Sequence, residues 1–259
     1  MTDAKTDTDS NTDSNTDRGT QALDRALALF AALLRDRGRH ALSEIAEAQG
    51  LPVSTAHRLV AAFERHRLIS RATRGRYVAG LGLLELAPDR RHILAEASRP
   101  VLRRLAKAEK RTAHLGILEA DMVTYLVKEA GGPASVFTRE MIQFEAYCTG
   151  IGKVLLAGLE PQLRERYLAG GPFVRLTPTT ITDPAELRRH LAEIAARGYA
   201  IDDAEMADGL HCVAVPVRDA NRRVIAAISL SSVGDADDEA LFAMLRQAAG
   251  AIEARLYPA

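Results

Sequence analysis

Residues 43–60 read SEIAEAQGLPVSTAHRLV, and this stretch decides the fold. Ser43 can cap a helix over Ser43–Gln49, with Glu44 in its first turn, where the helix end is positive. Gly50 closes that helix, and Pro52 opens the next one, Val53–His66, because a first turn tolerates proline. Ala56, Leu59, Val60 and Phe63 recur at helical spacing and mark its buried stripe. Ser54, Thr55, His57 and Arg58 lie off that stripe. Short polar donors beside a cation, in the first turn of a helix, are what entry into a DNA major groove requires.

Working outward, Leu23, Leu27, Phe30 and Leu34 give residues 21–36 the pattern of an amphipathic helix, stopped at Gly38. Downstream, two strand-like runs, Leu68–Arg71 and Arg76–Ala79, flank a turn at Gly75. Helix, helix, turn, helix and hairpin is the order of a winged helix-turn-helix, placed over residues 19–80. Arg58 is the candidate for a base edge or a phosphate, with Ser43, Ser54, Thr55 and His57 beside it. Arg71, Arg74 and Arg76 sit where a wing meets phosphate or minor groove. Charge agrees: between Thr20 and Gly80 ten arginines stand against five acids, a net of +5. That excess is hidden in a chain with 34 basic and 34 acidic residues. Part of the balance lies in residues 1–17, with five Asp and one Lys, and residues 1–18 are expected to be a disordered acidic tail.

The remaining sequence predicts a linker helix within residues 81–93 and an α+β domain over 94–259. The linker helix falls around Leu81–Ala87 and a longer helix around Ile93–Glu109, with Pro88 and Pro100 as interruptions. His114–Glu119 with Met122–Glu129, and Cys212–Arg218 with Val224–Ser232, read as strand pairs. Ile151–Leu159, a helix capped by Asp183 and ending before Gly198, and Asp235–Leu256 read as helices. With 47% hydrophobic residues in 259, the chain can bury a real core. No apolar run is long enough to cross a membrane, no secretory signal opens the chain, and two cysteines make no disulfide framework. A cytoplasmic protein without a membrane partner is the expectation.

The chain resembles the IclR family of bacterial transcription regulators. The likeness lies in Leu42–Ala46, Gly50–Val60 and the GRYVAG of residues 75–80, and continues in GIGKVLLA (150–157), TPTTITD (177–183), RGYAIDD (197–203) and CVAVPVRD (212–219). The resemblance covers roughly residues 20–257. It implies a winged helix-turn-helix, a linker helix that pairs subunits, and a GAF-like effector-binding domain. It further implies double-stranded operator DNA and a small organic acid as partners, a homodimer or homotetramer, control of a catabolic operon as repressor or activator, and no enzymatic activity. Neither cofactor nor metal is expected.

The residues make their own argument for an effector site. Gly150 and Gly152 precede a helix, where free backbone N–H groups can face an anion. Ser229 and Ser231 alternate on a strand, so both point to one face. The resemblance places Gly150, Ile151, Asp202, Cys212, Ser229 and Ser231 at positions that contact a small carboxylate, with the amides of Gly150 and Ile151 taking it. Leu126, Phe137, Met141 and Phe144 are candidates for an apolar wall. Tyr147 and His211 depart from the family's usual residues, as does Gly150, and suggest a bulkier, more aromatic mouth suited to an aromatic carboxylate.

Other readings are weaker. The GIGK of residues 150–153 lacks the glycine and hydroxyl spacing of a phosphate loop. A metabolic enzyme would have only Asp202, His211 and Cys212 to supply a base or nucleophile. A metal or redox sensor would use Cys148, Asp202, His211 and Cys212, which lack diagnostic spacing. The recognition helix and basic wing weigh against these alternatives.

Overall fold

Leu29 and Leu33, both without exposed surface, anchor the N-terminal part of the protein. The structure, a computed structural model, describes residues 10–86, 89–132, 136–233 and 237–258. The chain forms two compact units, Met1–Pro88 and Asp89–Ala259.

In the first unit, helix α1 (Ser10–Asp36) packs on α2 (Leu42–Ala48) and α3 (Val53–Arg65). Ala56 and Val60 are buried, and Leu59 and Phe63 are packed at the core's edge. Three expectations change here. Helix α1 begins at Ser10, so the stretch from residue 10 to residue 18 is helical rather than disordered; residues 1–9 lie outside the described residues. Extending an existing helix costs far less than nucleating one. The buried face of α1 is carried by Leu29 and Leu33, whereas Leu23 and Leu27 are more than half exposed. They precede the stretch of α1 that touches the core. Finally, Ser43 does not cap α2. The helix starts one residue earlier so that Leu42 can be buried, and Glu44 Oε2 accepts from the N–H of Ala41 at 2.7 Å.

The strands β1 (Ile69–Thr73) and β2 (Arg76–Ala79) pair antiparallel, Ile69 opposite Ala79 and Arg71 opposite Tyr77. Gly75 turns the hairpin at φ +75°, a region closed to most side chains. Its carbonyl accepts from the N–H of Leu42 at 2.8 Å, tying wing to α2. A short helix, α4 (Gly82–Leu86), follows and exposes Leu84 and Leu86 beside the exposed Leu81.

The second unit starts with α5 (Arg90–Glu109), three residues before the expected start, because Asp89 caps it by accepting from the N–H of Arg91 at 2.9 Å. Pro100 lies inside this helix rather than interrupting it. Burial of Leu94, Val101 and Leu102 offsets the roughly 3 kcal/mol that an interior proline costs. Pro88 lies outside the described residues. Six strands form an antiparallel sheet: β3 (Thr112–Glu119), β4 (Met122–Ala130), β5 (Gln143–Glu145), β6 (Ala200–Asp203), β7 (Leu210–Arg218) and β8 (Val224–Val233). Their order is β5-β4-β3-β8-β7-β6. On one face α5 and α9 (Asp238–Leu256) pack Leu102, Leu241 and Leu245 against Leu115, Val213 and Ile228. On the other, α6 (Gly150–Ala157), α7 (Pro161–Leu168) and α8 (Pro184–Arg197) bring Ile151, Leu156 and Leu191 against Val123, Ala214 and Ala227. Val213 and Ala214 face opposite ways, as the period of two in β7 requires. The alternating face thus sets which side chains of β7 and β8 meet α6. Among the described residues no helix is long and apolar enough to cross a membrane.

Candidate functional site

Two sets of residues carry the expected chemistry, one in each unit. In the first unit Ser43, Ser54, His57 and Arg58 are exposed, and Thr55 is half-buried above the core. Arg71, Arg74 and Arg76 are exposed on or beside the hairpin. Arg71 lies 5.7 Å from the Tyr77 ring centroid and donates to the Tyr77 hydroxyl at 3.4 Å, which holds its charge on the wing. A helix that presents Ser54, His57 and Arg58 outward and a hairpin edged with arginines are the two surfaces through which such a unit meets phosphate and base edges.

In the second unit all six residues expected at the effector site line one cavity, most of whose space is too narrow for a free water. The sheet supplies its floor through Cys212, Ser229 and Ser231. Cross-strand register sets Asp202 opposite Cys212 and Cys212 opposite Ser231, so the three share a row. Helix α6 supplies a wall with its first turn. The α6 N-cap, Thr149, accepts from the N–H of Gly152 at 3.1 Å, and the first bond within the helix runs from Lys153 N to Thr149 O at 2.9 Å. The N–H groups of Gly150 and Ile151 precede that bond, so no helical carbonyl can take them. Gly152 lets this turn close, since a Cβ there would sit 2.2 Å from the Ala146 carbonyl oxygen. Positive helix end and free donors together suit a carboxylate.

Asp202 is 1% exposed and hydrogen-bonded, its Oδ1 accepting from the N–H groups of Glu205 (2.9 Å) and Met206 (3.2 Å). Burial pushes its carboxyl up to about 7, against the opposing pull of the Lys153 cation and those two N–H groups; the neighbouring Glu205 carboxylate adds to the rise. Lys153, fully buried under the cavity, donates to the Ile201 carbonyl at 2.5 Å and pairs with Glu205 Oε1, which fixes the turn carrying Asp202 and Met206. Burial pushes the thiols of Cys148 and Cys212 well up. The Cys148 Sγ lies 3.6 Å from Met206 Sδ, and Cys212 Sγ donates to Ser231 Oγ at 3.0 Å.

The wall differs in part from expectation. Phe137 and Phe144 line the cavity, but Leu126 and Met141 do not. A bulge in the β3–β4 pairing, where the register skips Leu126, turns that residue into the opposite core and Tyr125 toward the cavity. Met141 is 59% exposed. Tyr147 and His211, expected at the mouth, are not there either. Tyr147 is buried, stacks on Phe173 with centroids 4.7 Å apart, and donates to the Val174 carbonyl at 2.7 Å. His211 alternates away from Cys212 and lies 2.7 Å from Asp238 at the start of α9. His211 therefore does not join Asp202 and Cys212 at the cavity. Among the described residues no three of His, Cys, Asp and Glu are grouped to hold a metal ion. The aromatic character of the cavity comes instead from Tyr125, Phe137 and Phe144, packed edge to face at 5.4 and 5.6 Å.

The sequence reading also missed Val136, Thr138 and Thr149, and His114 beneath them. His114, 1% exposed, places Nε2 at 2.7 Å from Thr138 Oγ1 and Nδ1 at 3.4 Å from Ser231 Oγ. Alternation along the Thr112–Glu119 strand could have found His114, a polar residue on the face toward Ser229, its cross-strand partner. Nothing local marks Val136 and Thr138, which lie in a segment without regular structure.

A winged helix-turn-helix joined to a domain that closes over a polar cavity is the makeup of a ligand-sensing DNA-binding regulator. Comparison with known families agrees. The IclR helix-turn-helix domain matches residues 22–72, and the bacterial transcriptional regulator IclR C-terminal domain matches residues 88–254. The chain is 32% identical over 235 residues to the transcriptional regulator XynR of Escherichia coli, covering 88% of this chain and 92% of that one. It is 35% identical over 215 residues to BhcR of Paracoccus denitrificans, covering 82% and 77%. An IclR homologue from Microbacterium hydrocarbonoxydans, solved in complex with 4-hydroxybenzoate, superposes with a TM-score of 0.62 at 29% identity, over 91% of this chain and 98% of that one. The chain belongs to the IclR family of bacterial transcriptional regulators, with a helix-turn-helix and a C-terminal effector domain.

Proposed function

We propose that this regulator holds operator DNA through the first turn of α3 and the arginine-edged wing, and that its cavity takes a small aromatic carboxylate that shifts operator affinity. The observation that carries the second part is the meeting of Gly150, Ile151, Asp202, Cys212, Ser229 and Ser231 around one cavity with aromatic sides. The carboxylate lies against the Gly150 and Ile151 amides, the ring among Tyr125, Phe137 and Phe144. The 4-hydroxybenzoate complex of the Microbacterium hydrocarbonoxydans homologue supports an aromatic acid of this size. The regulator acts in the cytoplasm as a homodimer or homotetramer, the symmetric state that palindromic half-sites call for, and controls a catabolic operon.

The test is a thermal-shift series with aromatic carboxylates beside aliphatic 2-oxo acids. A ligand that binds only the folded state raises the midpoint. The expected result is a rise with an aromatic acid that is lost in the doubly substituted Ser229→Ala, Ser231→Ala protein. A rise with 2-oxo acids alone overturns the ligand class, and an undiminished rise in the double variant places the site elsewhere.

A further inference from the structure

The cavity has a second polar end, opposite the helix. Helix α6 begins above β7, since a Cβ on Gly150 would lie 3.4 Å from Ala214 Cβ and 3.7 Å from Cys212 Cβ. His114 stands two strands away, because β8 separates β3 from β7. Two strand spacings are about 9–10 Å. The two polar ends therefore stand across the width of the sheet from each other, and an acid with polar groups at opposite ends of its ring would meet both.

At this far end Thr138 Oγ1 lines the cavity and contacts His114 Nε2 at 2.7 Å. The other ring nitrogen faces Ser231 Oγ, which also receives the Cys212 thiol at 3.0 Å. Burial, with the Lys128 charge adding to it, holds the imidazole down to about 3, so it is neutral and offers one donor and one acceptor. If Nε2–H donates to Thr138, the Thr138 hydroxyl proton is left for the cavity. If Nδ1–H donates to Ser231, Thr138 donates to Nε2 and its oxygen accepts from the cavity. Either way this end presents a hydroxyl that satisfies a group able both to donate and to accept. The segment is fixed from behind, where Lys128 Nζ donates to the carbonyls of Val136 (2.6 Å) and Thr138 (2.5 Å).

We infer that Thr138 is a specificity-determining residue that reads a phenolic hydroxyl para to the carboxylate of the bound acid, and that His114 is the positioning residue that orients it. The inference rests on the aromatic-carboxylate reading above. It distinguishes a para-hydroxylated aromatic acid from the bare acid, since a hydroxyl-reading site left unpaired by the bare acid loses affinity.

The experiment is calorimetric titration of the full chain with benzoate, 4-hydroxybenzoate and terephthalate, the readout being the ratio of affinities. The wild type is expected to prefer 4-hydroxybenzoate over benzoate by about fivefold to tenfold, the worth of one buried hydrogen bond. Thr138→Val is expected to erase that preference and Thr138→Ser, which restores a hydroxyl, to keep it; His114→Phe erases it with Thr138 in place. An equal affinity for benzoate and 4-hydroxybenzoate in the wild type, or a preference that survives Thr138→Val, overturns the inference while leaving the aromatic-acid reading intact. Tighter binding of terephthalate than of 4-hydroxybenzoate overturns it in favour of an anion-reading end. Failure of all three acids to bind removes both.

Discussion

Asp202 carries the clearest pH signature of any single residue in the cavity. Its carboxyl is pushed to about 7 by burial, against 3.8 in the ordinary case. Between those values the folded protein holds a proton that the unfolded chain has released. Its contribution to stability is therefore full below about 4 and is lost as pH rises through about 7. Asp202→Asn removes this titration, so the variant's melting midpoint should gain on the wild type's from pH 5 to pH 8. Parallel midpoint profiles would mean that Asp202 stays ionised. In the other unit, Arg58 projects from the exposed face of α3. Arg58→Ala should weaken operator binding by about 1–3 kcal/mol while leaving the melting midpoint within a degree or two; unchanged operator affinity in a gel-shift titration would remove Arg58 from the interface. The exposure of Arg58 was legible in the sequence from its place off the apolar stripe, and the place of Asp202 in the cavity from the likeness of residues 197–203. Thr138 and His114 in the effector unit were not, because the first sits in an irregular segment and the second lies beneath the cavity.

At the level of elements, the segment carrying Phe137 and Thr138 is joined to α5. The two Glu140 carboxylate oxygens accept from the two terminal nitrogens of Arg99 at 2.7 and 3.1 Å, and Oε1 also accepts from the N–H of Lys128 at 3.0 Å. Arg99 lies on α5, the helix that opens the effector unit, and also bonds Glu129 at 3.2 Å. A ligand that moves Phe137 and Thr138 thus pulls on α5. Arg99→Ala should reduce the effect of a bound acid on operator affinity, measured as the ratio of operator dissociation constants with and without it, by about 1 kcal/mol. An unaltered ratio would mean that the signal does not pass through this contact. The elements themselves were legible where they are long. The β3–β4 and β7–β8 pairs follow from alternation, and α8 from the Asp183 cap, whose Oδ1 accepts from Glu186 N at 2.8 Å. The strands β5 and β6 were missed because three and four residues are too few to show a period of two. The bulge that exchanges Leu126 for Tyr125 is a property of pairing, invisible in one strand alone.

For the whole molecule, the zero net charge conceals an uneven distribution: residues 20–80 carry a net of +5, residues 1–17 a net of −4, and the rest of the chain is close to balance. Apolar surface is divided in the same way. Leu81, Leu84 and Leu86 are each more than 70% exposed around α4, and Leu23 and Leu27 are exposed on α1. Leucines left in water at neighbouring positions, as Leu81, Leu84 and Leu86 are, are what a subunit contact would use. Leu84→Asp should shift the sedimentation of the protein toward the monomer and weaken operator binding; an unchanged oligomer would place the contact elsewhere. The central claim, that an acid in the effector cavity resets DNA binding, is tested most directly by fluorescence anisotropy on an operator selected from random duplexes by the protein itself. Operator affinity is measured with and without saturating 4-hydroxybenzoate, in the wild type and in the Ser229→Ala, Ser231→Ala variant. The expected result is a shift of about 5- to 150-fold in the wild type that disappears in the variant. Superimposable wild-type curves, with the acid bound, would contradict it.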